Sequence, residues 1–119
     1  MLKKSNKSED RILSDFHLWM WETYPELRRL CFHPNNEANL GPLVGAMNKA
    51  KGVVAGVADY IMLVPNQTSH GLCIEFKVPG GVQSDKQMDF EMKVVGQGFM
   101  YVVCFSTEEA IKIWQEYHS

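Results

Sequence analysis

At 119 residues, with 45% hydrophobic and 22% charged side chains, the chain has the length for one domain with a real core, and not for two. A formal net charge of -2 excludes a general nucleic-acid coat protein, but not a protein whose acidic residues are gathered to hold a cation. The cysteines, Cys31, Cys73 and Cys104, lie far apart with no Cys-x-x-Cys pair, so reduced, mostly buried thiols in a cytoplasmic setting are expected. Cys31 and His33 have the types of a zinc-binding pair, but no second pair follows at ligand spacing, and they read as ordinary strand residues.

In chain order, residues 1–7 are a basic segment, expected to be flexible, with no apolar stretch behind it, so neither signal peptide nor membrane span is expected. Residues 8–119 are expected to form the single domain. Ser8 caps a helix whose first turn holds Glu9 and Asp10, acids that complement the helix dipole. Leu13, Phe16 and Met20 follow Glu9 at helical spacing, so Glu9 heads an inward stripe and stands at the rim of whatever that stripe approaches. From the residues alone, dipole stabilisation is its simpler role. Trp19, Trp21 and Tyr24 serve core or dimer contact, and Tyr24-Pro25 ends the helix. Leu30 to His33 reads as a short strand closed by Pro34-Asn35-Asn36-Glu37, and Pro42 opens a helix through Lys51 with Gly52 as its stop.

Val57 to Val64 and Leu72 to Val78 have strand composition, and the turn formers Pro65 to Gly71 join them as a hairpin. Pro79-Gly80-Gly81 then turns the chain, and Ser84-Asp85-Lys86-Gln87 is a capping box that explains Gln87 structurally. Met88, Met92 and Val95 would be the apolar stripe of that helix, and Gly96-Gln97-Gly98 its end. Phe99 to Phe105 is a continuous apolar strand that a crossover of this length sets parallel to a neighbour. Ser106-Thr107-Glu108-Glu109 is a second capping box, and Ala110, Ile111, Trp114 and Tyr117 share one face of the last helix. The order α-β-α-β-β-α-β-α gives an α/β fold with a mixed four-stranded sheet flanked by helices.

The residues that carry chemistry sit in the hairpin. Glu75 and Lys77, two apart on a strand, share a face, while Ile74, Phe76 and Val78 point the other way into the core. With the hairpin centred near Gln67 or Thr68, antiparallel pairing sets Asp59 opposite Glu75 or Lys77. Two carboxylates and an ammonium then converge. Hard oxygen ligands of this kind suit Mg2+ or Mn2+ with a phosphate substrate, and a lysine beside them can act on the attacking water or offset charge on phosphorus. Spacing alone equally allows a solvated Glu-Lys pair on a sheet surface.

The ordered set Gly56-Val57-Ala58-Asp59, Ile74-Glu75-Phe76-Lys77-Val78-Pro79-Gly80-Gly81 and Ser84 to Gln87 resembles the PD-(D/E)XK nucleases, and among them the VRR-NUC (virus-type replication-repair nuclease) family. Upstream, Glu9 to Ile12, Trp19, Tyr24 to Leu27 and Phe32 to Glu37 look like the family's first helix and following strand. Three positions depart from it: Ala58 replaces a proline, Leu13 a glutamine, and Leu40-Gly41-Pro42 a basic residue. The resemblance implies a restriction-endonuclease-like core and a Mg2+- or Mn2+-dependent DNA endonuclease. It makes Asp59 and Glu75 metal ligands together with the Phe76 carbonyl, and Lys77 the residue acting on water. By the same resemblance Glu9 is the auxiliary acid of the first helix, and Gln87 the helix residue that approaches the site. Small single-domain members look like Holliday-junction resolvases and usually pair as homodimers, so branched DNA, a role in DNA repair and a second copy as partner are expected, and the small stand-alone format suggests a phage or prophage origin.

Overall fold

The computed structural model describes residues 7–34 and 41–119; the basic lead up to Asn6, the turn residues Asn35 to Glu37 and the departure at Leu40 lie outside them. Among the described residues there are four helices, α1 (Glu9–Thr23), α2 (Pro42–Ala50), α3 (Asp85–Gly96) and α4 (Thr107–His118), and four strands, β1 (Cys31–Phe32), β2 (Tyr60–Met62), β3 (Leu72–Phe76) and β4 (Met100–Cys104), in the order α-β-α-β-β-α-β-α. A single 3-10 turn, Pro25–Leu27, follows α1. The element order is the one the sequence predicts. The strands are shorter than their apolar runs, because pairing stops where the chain must turn toward a loop.

The sheet runs in the order β1-β2-β3-β4, with the first two pairings antiparallel and β3·β4 parallel. Tyr60 faces Ile74 across the hairpin, so the register carried one residue further sets Asp59 opposite Glu75. Asn66 shapes the hairpin turn: its Oδ1 accepts from the Thr68 and Ser69 backbone N–H groups, and its Nδ2 donates to the Tyr117 carbonyl on α4.

Side-chain alternation divides the sheet into two unlike faces. Tyr60, Met62, Leu72, Ile74, Phe76 and Cys104 form the core with Ile12, Phe16 and Met20 of α1 and Ala110, Trp114 and Tyr117 of α4. Phe16 is its hub, meeting Tyr60 edge-on at 5.4 Å and Phe76 at 5.9 Å between ring centroids. All three thiols are free and buried. Burial pushes those of Cys31 and Cys73 up to about 11, so they stay protonated at neutral pH.

The opposite face carries Cys73, Glu75 and Tyr101 and is covered by α3. Here the predicted packing stripe is corrected. Met88, Met92 and Val95 are exposed, at 47%, 67% and 50%, and the half-buried residues of α3 are Gln87, Phe90, Glu91 and Val94. A sheet face that presents a buried carboxylate needs polar partners above it, so the helix turns its mixed face inward and leaves its methionines outside.

The caps behave as their sequences require, with one variation. Ser84 and Gln87 make both bonds of the capping box. Ser106 accepts from Glu109 N, but the Glu109 carboxylate reaches one residue further back, to the Phe105 N–H at 2.7 Å.

Candidate active site

Glu75 lies on β3, an interior strand of the sheet, and is 0% exposed. That excludes the solvated surface pair. Its Oε1 accepts two hydrogen bonds, from the Tyr101 hydroxyl at 2.6 Å and from Gln83 Nε2 at 2.9 Å. Its Oε2 has no hydrogen-bond partner, and the nearest positive charge is Lys77 Nζ at 3.5 Å. An anion held dry with half its carboxylate unpartnered is costly, and that cost falls when a cation is bound.

Asp59 enters from the end of β2. Its Oδ2 accepts the Phe76 backbone N–H at 2.7 Å, which fixes the side chain against β3. The Lys77 N–H, by contrast, donates to the Cys104 carbonyl on the β4 side. Backbone groups alternate between strand edges, so the Phe76 carbonyl leaves β3 on the edge that Asp59 occupies. His33, just past β1, donates from Nδ1 to the Asp59 carbonyl and steadies the same residue from behind.

Burial, more than any other cause, holds the Asp59 carboxyl above its usual 3.8, with the charges of Glu75 and Glu9 adding to it and the Phe76 bond opposing it. Because the folded value lies above the unfolded one, ionising Asp59 costs the metal-free fold stability. That cost is absent below the unfolded value, grows as pH rises through the folded value, and is complete above it. A cation held by this group would compete with protons, so Mn2+ affinity should weaken in mild acid, at a higher pH than an ordinary aspartate would give. Titration calorimetry with Mn2+ across the acid range checks this.

Glu9 is exposed in the first turn of α1, close enough for its charge to act on Asp59. Gln87 lies in the first turn of α3 with its Oε1 accepting from Ser84 N. Three contributors were invisible in the sequence. Gln83, Tyr101 and Glu91 meet around Glu75, with Gln83 Nε2 also donating to Glu91 Oε1 at 2.9 Å. Tyr101 reads as one more strand residue until the parallel register pairs it with Cys73 and so turns it to the face of Glu75. Burial first, and then the bond to Glu75, raise the Tyr101 hydroxyl far above its ordinary value, so it remains a donor.

Among the described residues no three His, Cys, Asp or Glu side chains gather round a point. A divalent cation would therefore be met by two carboxylates and a carbonyl, which is a fit for Mg2+ or Mn2+, ions that keep much of their water shell.

A family model for the VRR-NUC domain matches residues 15–108, most of the chain. The protein belongs to the VRR-NUC family. The matched span of this VRR-NUC domain includes Asp59, Glu75, Phe76, Lys77 and Gln87, whereas Glu9 precedes it. A solved structure of a VRR_NUC domain protein superposes with a TM-score of 0.78 over 95% of this chain and 89% of that one, at 24% identity, a likeness of fold. A search of curated protein sequences gives no match.

In this VRR-NUC domain the loop that brings Asp59 against β3 is held by a close approach. Gly56 has φ +80°, and a Cβ there would stand 2.6 Å from Lys86 Cβ and 2.8 Å from its backbone carbon in α3. Gly56→Ala is expected to cost about 1–2 kcal/mol for the left-handed backbone alone, and more for the clash. Urea denaturation should show the loss of stability, and weaker Mn2+ binding should accompany it, because the displaced loop carries Asp59.

Proposed function

We propose that this protein is a Mg2+- or Mn2+-dependent DNA endonuclease that hydrolyses phosphodiester bonds, with a Holliday junction or other branched DNA as its substrate. The observation that carries the reading is the Glu75 carboxylate, fully buried, with Oε1 doubly bonded and Oε2 left facing Lys77.

Asp59 and Glu75 would hold the cation through their side chains and Phe76 through its carbonyl. A divalent cation bound there supplies charge neutralisation at the scissile phosphate and a more acidic water. The chain's own residues do the rest. Lys77, 13% exposed in its side chain, holds Nζ 3.5 Å from the buried Glu75 Oε2, where it can orient the attacking water or donate to oxygen as charge builds on phosphorus. Glu9 adds negative charge from the first turn of α1. Gln87, with its Oε1 engaged in the cap, has its amide nitrogen to offer a substrate.

Two copies related by a two-fold axis would set two such sites on a branched, two-fold substrate, and a homodimer is the assembly we favour. The free thiols support placing the protein in a reducing compartment such as the cytoplasm. Among the described residues no helix is long and apolar enough to cross a membrane.

The test is cleavage of labelled four-way junction, flap and linear duplex DNA by wild type and Asp59→Asn, with Mn2+, Mg2+ or EDTA. Metal-dependent cutting of the branched substrates, lost in the variant, is the expected result. Binding without cutting under every metal condition would instead identify a silent DNA-binding or assembly module with the same fold.

A further inference from the structure

The two hydrogen bonds that Glu75 receives end on one oxygen. If Tyr101 and Gln83 served only to satisfy a buried carboxylate, the economical arrangement would give each oxygen a donor, since leaving one bare forfeits much of the benefit. Here Oε1 has both donors and Oε2 has none. The asymmetry fixes which way the carboxylate points.

Both donors are themselves held. Gln83 Nε2 lies between Glu75 Oε1 and Glu91 Oε1, at 2.9 Å from each. Carboxylates only accept, so the amide can present only its NH2 group to this pair, and its orientation is set chemically. Glu91 belongs to α3 and thus tethers Gln83, which lies just ahead of that helix. Tyr101 is braced from the same helix, with the Phe90 ring edge-on at 6.3 Å. Two separate lines, Phe90 to Tyr101 and Glu91 to Gln83, therefore run from α3 to the same carboxylate oxygen.

We infer that Tyr101 and Gln83 are positioning residues that lock the Glu75 carboxylate for a divalent cation, filling Oε1 and leaving Oε2 bare on the strand position opposite Asp59. This rests on the metal-binding reading of Asp59 and Glu75. Without the lock, Glu75 is free to rotate and draw Oε2 from its present 3.5 Å into hydrogen-bond contact with the Lys77 ammonium, a tighter ion pair that competes with the cation. Partners of this outer kind typically contribute about tenfold or more to metal affinity.

The test is calorimetric titration of Mn2+ into wild type, Tyr101→Phe, Gln83→Ala, the double variant and Asp59→Asn, with melting of each metal-free protein alongside. The expected result is a Kd for Mn2+ raised ~10-fold in each single variant and further in the double one. Cleavage by the variants should recover as Mn2+ is raised, because the loss lies in loading the site. Tyr101→Phe removes one oxygen from a packed ring, and Gln83→Ala changes a half-buried loop residue, so a misfolded Tyr101→Phe leaves Gln83→Ala to decide the matter. Variants that melt earlier yet bind Mn2+ as wild type does would overturn the inference and leave the metal reading standing. Wild type that binds no Mn2+ would overturn both, and Asp59→Asn tells specific binding from adventitious heat.

Discussion

Glu75→Gln should make the metal-free protein harder to melt and unable to bind Mn2+. The glutamine carbonyl can accept the same two bonds that Oε1 accepts from Tyr101 and Gln83, and its NH2 group replaces an oxygen that has no hydrogen bond to lose. The substitution removes a fully buried charge and its repulsion with Asp59. Against that stand the attraction to Lys77 at 3.5 Å and an amide NH2 group buried without an acceptor. Lys77, 13% exposed, can turn to solvent once its partner is neutral, so the change should stabilise by ~1 kcal/mol, a rise of about 5 °C in Tm for a domain of this size. Scanning calorimetry without metal gives the first quantity and Mn2+ titration the second. A lower Tm would mean that Glu75 is a structural anchor of the sheet. A higher Tm with binding lost is the trade expected of a residue placed for function at the expense of stability.

Lys77→Ala should leave Mn2+ binding largely intact while lowering single-turnover cleavage by about 10²–10⁴-fold, the range for losing a group that handles a proton or developing charge in the transition state. The ammonium stands 3.5 Å from Glu75 Oε2 and makes no hydrogen bond with it, so the loss of stability should be small beside the loss of rate. The rate at saturating Mn2+ and substrate separates the two roles. A variant with an unchanged saturated rate but a lower Tm would make Lys77 a stabilising counter-charge alone.

Local signals made most of the architecture legible. Ser8, Ser84 and Ser106 mark three helix starts, and each cap forms where its sequence places it. The turn formers between the strands left two registers, with Asp59 opposite Glu75 or Lys77, and the observed Tyr60–Ile74 pairing selects Glu75. Where reading failed, it failed on α3. Met88, Met92 and Val95 have helical spacing and apolar side chains, yet they face outward, because hydrophobic periodicity assumes an apolar surface beneath the helix. The surface beneath α3 holds Glu75.

The sequence by itself determined the order of elements, the parallel crossover to β4 and the identity of the Asp59, Glu75 and Lys77 set, because capping, strand alternation and turn chemistry act over a few residues. Only the tertiary structure decided that Glu75 is dry and that Tyr101 and Gln83 meet on one of its oxygens while the other stays bare. Those facts depend on a register between strands separated by a whole helix and on the rotation of that helix over the sheet, and no local pattern encodes either. Burial of a charge belongs to the whole fold, and here it sets an ordinary Glu-x-Lys spacing apart from a solvated surface pair.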